Sequence, residues 1–279
     1  MKFQDLYKEA SKKAKKANKE ESAVLLLLMH ASKLSNSEIY QKMYDEVNEE
    51  VIKDFNTMLD KYIIENKPVQ YIIGYETFYG YDFIVNEGCL IPRFETEELV
   101  ENILYKFDEL FDKEVDVVDI GTGSGCIAIT LALEEKRMKV VATDISTEAL
   151  ALAKENALKL NANVEFIQGD MLNPVMNRKF DILVSNPPYI PDSELVDPLV
   201  KDNEPNIALF GGIDGMKFYK IILSQARSIL KDKYLIAFEH AYDKGDAMKI
   251  LAKTYFPEAT VEVLKDMQGL DRMTLIYVK

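Results

Sequence analysis

Basic charge is scarce in this 279-residue chain: 34 Lys and Arg stand against 47 Asp and Glu, for a net charge of −13. A protein that grips DNA or RNA displaces condensed counterions with a basic track. A direct nucleic-acid substrate is therefore disfavoured, and a basic protein partner suits the charge better. The one dense basic cluster, Lys12-Lys13-Ala14-Lys15-Lys16, shares its segment with Asp5, Glu9, Glu20 and Glu21 and reads as a solvated helix face. Histidine and cysteine are also sparse, with two of each: His30, His240, Cys89 and Cys126. That argues against a histidine-built metal site, a zinc spacing or a disulfide framework, and the expectation is no metal and a reduced, cytoplasmic setting. His30 follows an apolar run and reads as a packed or surface residue. Met1 to Asp5 has no signal-peptide core and Val24 to Met29 is too short to span a bilayer, so no membrane association is expected.

What the chain does carry is Asn186-Pro187-Pro188-Tyr189, directly after the apolar run Phe180-Asp181-Ile182-Leu183-Val184-Ser185. The run predicts a buried strand, which puts the tetrapeptide past a strand's carboxyl end, where open α/β sheets place their chemistry. Two prolines remove two N–H donors and fix φ. A stiff loop offering an amide oxygen, bare carbonyls and an aromatic ring suits a planar NH2 group. The alternative is a proline-rich turn with no further role. At ordinary composition the tetrapeptide arises by chance in about one such chain per thousand, which favours the functional reading.

Upstream, Val117-Val118-Asp119-Ile120 runs into Gly121-Thr122-Gly123-Ser124-Gly125 and leaves as the apolar stretch Cys126 to Ala132. Strand, glycine turn and helix in that order let a ligand approach backbone that has no Cβ in the way. Asp144 closes the next strand, 23 residues after Gly121, where a carboxylate can accept both hydroxyls of an adenosine ribose. The loop is GxGxG rather than GxGxxG and lacks the Lys-Ser/Thr of a P-loop. Glycine loop and acid alone do not separate NAD from S-adenosylmethionine, nor exclude a purely structural turn.

Taken together, the two motifs resemble those of the peptide-chain release factor glutamine methyltransferases (the HemK/PrmC family), class I S-adenosylmethionine-dependent enzymes. The resemblance runs from Pro68 to Arg272 through Phe78-Tyr79-Gly80, Leu90-Ile91-Pro92-Arg93, Glu95-Thr96-Glu97, Asn156-Ala157, Glu204-Pro205, Gly211-Gly212, Asp214-Gly215 and Gly269-Leu270-Asp271-Arg272. Many amino- and amide-nitrogen methyltransferases share Asn-Pro-Pro-Tyr, and Leu90 to Arg93 narrows the match. The chain departs from the family at Phe94, usually a second proline, and around Glu239 to Lys244, where a Gly and a Gln are missing.

The resemblance implies transfer of a methyl group from S-adenosylmethionine to the side-chain amide of the glutamine in a release factor's Gly-Gly-Gln loop, leaving S-adenosylhomocysteine. It implies a cofactor site of Gly121, Thr122, Gly123, Ser124, Gly125, Asp144, Ile145, Asp170, Met171 and Asn186, with Asp170 toward the adenine amino group and Met171 against its face. Substrate would meet Asn186, Pro187, Pro188 and Tyr189. The Asn186 oxygen and the Pro187 carbonyl would accept its two N–H groups while Tyr189 walls the amide plane, so that Asn186, Pro187 and Tyr189 are the catalytic set. A ribosomal-protein glutamine, a nucleobase amino group, or a non-catalytic adenosine-binding protein remain as other readings.

Residues 1–85 read as a helical, substrate-recognising domain, with a linker hairpin to about 92 and a catalytic domain over 93–279. Val51, Phe55, Met58, Leu59 and Tyr62 form an amphipathic stripe suited to core packing or to a partner. Ser35 reads as a helix cap before Glu38, and Phe78 to Val85 as a hairpin. Glu95 to Glu98 start a helix, either complementing its dipole or lining the substrate mouth. From 115 onward strands alternate with helices, the pattern of a mostly parallel sheet. Strands are expected at 115–120, 139–144, 164–168, 180–185 and 234–239, and helices at 125–135, 147–160, 215–230 and 243–254. Val261 to Leu264 and Met273 to Val278 are the last strands, and their short connection makes one antiparallel, as the methyltransferase resemblance also implies. The protein is expected to be a monomer.

Overall fold

The computed structural model describes residues 1–279, which divide into two compact units. The first comprises Met1–Tyr75 with the returning segment Asp197–Asn203, and the second Glu76–Val196 with Glu204–Lys279. No helix is long and apolar enough to cross a membrane.

The first unit is helical: α1 (Phe3–Lys16), α2 (Glu21–Ser32), α3 (Asn36–Gln41), α4 (Glu49–Ile63) and α5 (Val69–Ile73). Ser35 caps α3 in a reciprocal box, its hydroxyl accepting the Glu38 N–H while the Glu38 carboxylate accepts that of Ser35. In α4 the stripe turns inward: Phe55, Leu59 and Tyr62 are buried with Phe3, Leu6, Leu27 and Leu28, so it is spent on core packing. The lysine cluster lies at the end of α1, exposed except for Ala14 between its pairs. His30 sits in the last turn of α2 with its ring 6.3 Å from that of Tyr75.

The second unit opens on a hairpin, β1 (Tyr75–Phe78) and β2 (Tyr81–Ile84), which turns through Tyr79-Gly80. Its Phe78 and Phe83 are buried in the core beneath the large sheet, so the hairpin belongs with that unit rather than with the helices before it. The strands β3 (Val115–Ile120), β4 (Met138–Asp144), β5 (Val164–Gln168), β6 (Phe180–Ser185), β7 (Leu230–Glu239), β8 (Thr260–Lys265) and β9 (Asp271–Val278) form one sheet in the order β5-β4-β3-β6-β7-β9-β8. The pairs among β3 to β7 are parallel, while β9 lies antiparallel between β7 and β8.

Both faces are covered, which is why these strands are apolar at successive positions. Val117, Ile182 and Leu235 face the core shared with α6 (Phe94–Leu110) and α7 (Cys126–Glu134). Val118, Leu183 and Ile236 face the core shared with α10 (Lys217–Ala226) and α11 (Gly245–Tyr255). Helix α8 (Thr147–Leu160) follows β4, and the short α9 (Pro198–Lys201) precedes α10 in the chain. Helix α10 ends at Ala226, short of 230, and β7 begins at Leu230, earlier than the apolar run alone suggested. The first residues of β7 include the polar Lys231-Asp232-Lys233, which periodicity assigns to no strand face.

Candidate active site

The chain runs outward from β3 through β4 to β5 on one side of the sheet and from β6 to β7 on the other. A crevice therefore opens at the carboxyl ends of β3 and β6, which pair in register from Val117↔Ile182 to Asp119↔Val184. The glycine loop leaves β3 and Asn186-Pro187-Pro188-Tyr189 leaves β6, so the two motifs stand side by side. The Ser185 hydroxyl locks them together, donating to the Ile120 carbonyl at 2.6 Å.

Between them lies a cavity of about 350 Å³. Its wall contains Gly121, Thr122, Gly123, Ser124, Asp144, Ile145, Asp170, Met171, Asn186 and Pro188. Gly125, Pro187 and Tyr189 are not in that wall. Gly125 has φ +84 and its missing Cβ would meet Ile129 Cδ1 at 2.8 Å and Ala153 Cβ at 3.1 Å, so it lets α7 and α8 approach. Pro187 is buried, and burial pushes the Tyr189 phenol upward.

Gly121 and Gly123 have φ of +75 and +56, and a Cβ on either would point into open space. The room that these two glycines leave is ligand room rather than packing room. Asp144 Oδ2 accepts the Gly123 N–H at 2.8 Å and its Oδ1 that of Ser146 at 2.9 Å, which leaves lone pairs on each oxygen for a diol. Ile145 is 46% exposed and Met171 adopts φ +48, uncommon for a side chain of its size. Both present apolar surface to the cavity. An adenosine group with a charged tail fits these donors, acceptors and apolar walls. Burial pushes the thiols of Cys89 and Cys126, also in the wall, to about 11 and about 12, so neither is a nucleophile near neutrality.

Several further contributors carry no site role in the sequence reading. Asn186 Nδ2 donates to the Thr96 hydroxyl at 3.2 Å, and that hydroxyl donates to Glu239 Oε2 at 2.7 Å, joining α6, β7 and the loop after β6. Buried Glu204 accepts from Arg93 at 2.5 Å and from the Ile91 N–H at 3.2 Å, which ties the Leu-Ile-Pro-Arg and Glu-Pro segments together. Buried Asn156 donates to the carbonyls of Ile84 and Ser124, both at 3.0 Å, and so fixes the glycine loop to the hairpin. Behind Asn186 to Tyr189, Gly211 donates to the Ile190 carbonyl at 2.8 Å, and a Cβ on it would come within 2.5 Å of the Pro188 oxygen. Gly212 and Gly215 have φ of +85 and +71, and the clustering of Gly211, Gly212 and Gly215 is the sequence sign that could have marked this tight backing loop. Glu97 accepts the Tyr79 N–H at 2.9 Å, fastening the hairpin to α6; neither it nor Glu95 is in the cavity wall.

Fold and crevice define a methyltransferase of the S-adenosylmethionine-binding type. Residues 96–203 match the model of the family described as Methyltransferase small domain, and residues 5–74 that of the PrmC N-terminal domain. A crystal structure of a methyltransferase from Pyrococcus furiosus superposes with a TM-score of 0.53 at 21% identity, over 71% of this chain and 89% of that one, a likeness of fold. The chain is 45% identical to the release factor glutamine methyltransferase of Bacillus subtilis, over 94% of this chain and 93% of the relative. It is 42% identical to that of Bacillus cereus, over 98% of both. It belongs to the release factor glutamine methyltransferase family, and S-adenosylmethionine is its cofactor.

Proposed function

We propose that this protein methylates the side-chain amide of the glutamine in the Gly-Gly-Gln loop of peptide chain release factors. The observation that carries the reading is Asn186, held at the wall of the same cavity as the glycine loop and Asp144, with its NH2 directed to Thr96. That orientation leaves Oδ1 as an acceptor for an incoming N–H. An amide nitrogen is a poor nucleophile because its lone pair is delocalised into the carbonyl. Asn186 Oδ1 and the Pro187 carbonyl accept its two N–H groups and hold that lone pair toward the cofactor side of the cavity. Such positioning is worth up to ~7–11 kcal/mol of barrier. The cofactor, when bound, would supply an electrophilic methyl on a sulfonium: the S–CH3 bond breaks as the N–CH3 bond forms, S-adenosylhomocysteine leaves as a neutral thioether, and the methylated amide nitrogen, now strongly acidic, gives up one proton. Tyr189 walls the amide plane, and the stiffness of Pro187-Pro188 keeps these groups in place. Asp170 and Met171 would border the adenine, and Asp144 would take the ribose.

Glycines flanking the target glutamine suit a narrow pocket, since neighbouring Cβ atoms would obstruct entry. The helical first unit recognises the substrate. With a net charge of −13, the enzyme acts as a monomer on a basic protein rather than on nucleic acid or at a membrane, in the cytoplasm. The names of the relatives support the substrate. Mass spectrometry of a release factor incubated with enzyme and S-adenosylmethionine should find one added methyl group on that glutamine. An unmodified factor alongside a labelled ribosomal protein or nucleic acid would overturn the assignment.

A further inference from the structure

Glu239 ends β7 as a carboxylate 1% exposed at the close of the apolar run Leu235 to Phe238, directly behind Asn186. Buried carboxylates are costly unless bonded, and this one has a specific set of neighbours. The Thr96 hydroxyl of α6 donates to its Oε2 at 2.7 Å, and the nearby Asn186 amide favours its ionised form. Asn186 Nδ2 also donates to Thr96 Oγ1 at 3.2 Å. The Tyr219 hydroxyl of α10 fixes the backbone here, donating to the Glu239 carbonyl at 2.7 Å. The charges and titratable groups facing the carboxyl are Glu95 on α6, Arg272 on β9, Tyr189 after β6 and Tyr219 on α10.

An ionised carboxylate only accepts, whereas a carboxamide has a donating and an accepting end that are nearly equal in shape. Either orientation of Asn186 would fill the same space. Only one puts oxygen toward the cavity; the other would present NH2 to the NH2 of a substrate amide. We propose that Glu239, acting with Thr96, is a positioning residue that fixes the Asn186 carboxamide with NH2 inward and oxygen toward the substrate. Glu239 lies outside the cavity wall, whereas Thr96 is part of it beside Asn186, and both act here through the Asn186 carboxamide. The inference rests on the glutamine reading above for its kinetic consequence, though the orientation itself is a property of the chain alone.

Burial first, with Glu95 adding to it, pushes the Glu239 carboxyl up to about 7, against the pull of Thr96, Arg272 and Asn186. Once protonated, the carboxyl carries a donor of its own and no longer compels the Thr96 hydroxyl to donate to it, the arrangement that leaves Thr96 Oγ1 as the acceptor for Asn186. The fixing therefore weakens as pH falls through neutrality.

The test compares wild type with Glu239→Gln, Thr96→Val and Thr96→Ser on a release factor and S-adenosylmethionine. Glu239→Gln and Thr96→Val should each lower kcat by at least about tenfold, with KM and the Kd for S-adenosylhomocysteine within about twofold. Thr96→Ser, which keeps the hydroxyl, should restore most of the loss. Wild-type kcat should decline below pH about 7, and this limb should vanish in Glu239→Gln. Independently of substrate, the Asn186 side-chain NH2 resonance, assigned by its absence in Asn186→Ala, should titrate with the same midpoint in wild type and not in Glu239→Gln. A wild-type enzyme inert on release factors would strike the substrate reading and leave the resonance to decide the orientation. Wild-type kcat in both Glu239→Gln and Thr96→Val, or an Asn186 resonance indifferent to Glu239, would overturn the positioning role. So would equal losses of kcat, cofactor affinity and melting temperature that Thr96→Ser fails to relieve.

Discussion

Asp144 holds Gly123: its carboxylate accepts the Gly123 N–H at 2.8 Å, so the acid at the end of β4 shapes the loop at the end of β3. The same side chain thus organises the loop and faces the cavity, and its loss removes both effects.

Asp144→Ala should weaken binding of S-adenosylhomocysteine by about 1.5–3 kcal/mol, the range for a hydrogen bond to a charged group. Titration calorimetry gives the number. A wild-type Kd would place the ribose elsewhere.

Asn186→Ala separates binding from chemistry. It should bind cofactor nearly as wild type does while kcat drops by about 2.7–4 kcal/mol, typical of losing one positioned polar group. Single-turnover kinetics beside equilibrium binding provides the comparison, and unchanged turnover would remove Asn186 from the mechanism.

Gly215→Ala probes the backing loop. Gly215 has φ +71, and its Cβ would collide with the Tyr189 carbonyl oxygen, so Asn186 to Tyr189 must move. Displacement of that size is expected to lower kcat by about a hundredfold. Gly80→Ala is the control, at φ +80 with open space around its Cβ. It should cost about 1–2 kcal/mol of stability from backbone strain and leave turnover intact. Equal turnover in both variants would mean that the backing loop does not hold the motif.

Asp119 makes stability pH-dependent. Its Oδ2 accepts from Thr122 at 2.6 Å, its Oδ1 has no partner, and burial pushes the carboxyl from 3.8 up to about 7. The folded state holds this proton more tightly than the unfolded chain does. The contribution to stability is therefore full below the unfolded value near 3.8 and is lost as pH rises through about 7. Thermal melts from pH 4 to 8 should show wild type losing ground to Asp119→Asn across that window. Parallel curves would show that Asp119 does not titrate there.

Much of this was readable from local order. Periodicity in Val115 to Ile120 and Phe180 to Ser185 marks buried strands, and each functional loop follows its strand without a gap. Asn186 and Asp144 stand out in sequence because one follows and the other closes an apolar strand, and both line the cavity. Thr96 and Glu239 lie 143 residues apart, and Arg93 and Glu204 111 apart, yet they bond. Periodicity records which way a side chain faces, not which distant partner meets it there. A carboxylate closing an apolar strand was the available sign at Glu239. Alternation in Phe78 to Val85 shows a buried face without showing what buries it, and Phe78 and Phe83 pack in the core beneath the large sheet. Nothing in the composition of Asp197–Asn203 signals its return to the helical unit.

The place of β9 in the sheet has a kinetic meaning. β7 ends at Glu239, but the strand that covers its outer edge starts only at Asp271, after α11 and β8 have intervened. Until β9 inserts, β7 and β8 each expose an unpaired edge, the kind of surface that recruits strands from other molecules. Parallel crossovers and this late insertion are both long-range pairings, so folding should be slow for the chain's size. The Glu239–Arg272 neighbourhood is assembled in that same step. A folding intermediate lacking β9 should therefore be aggregation-prone and, because the support behind Asn186 is incomplete, inactive.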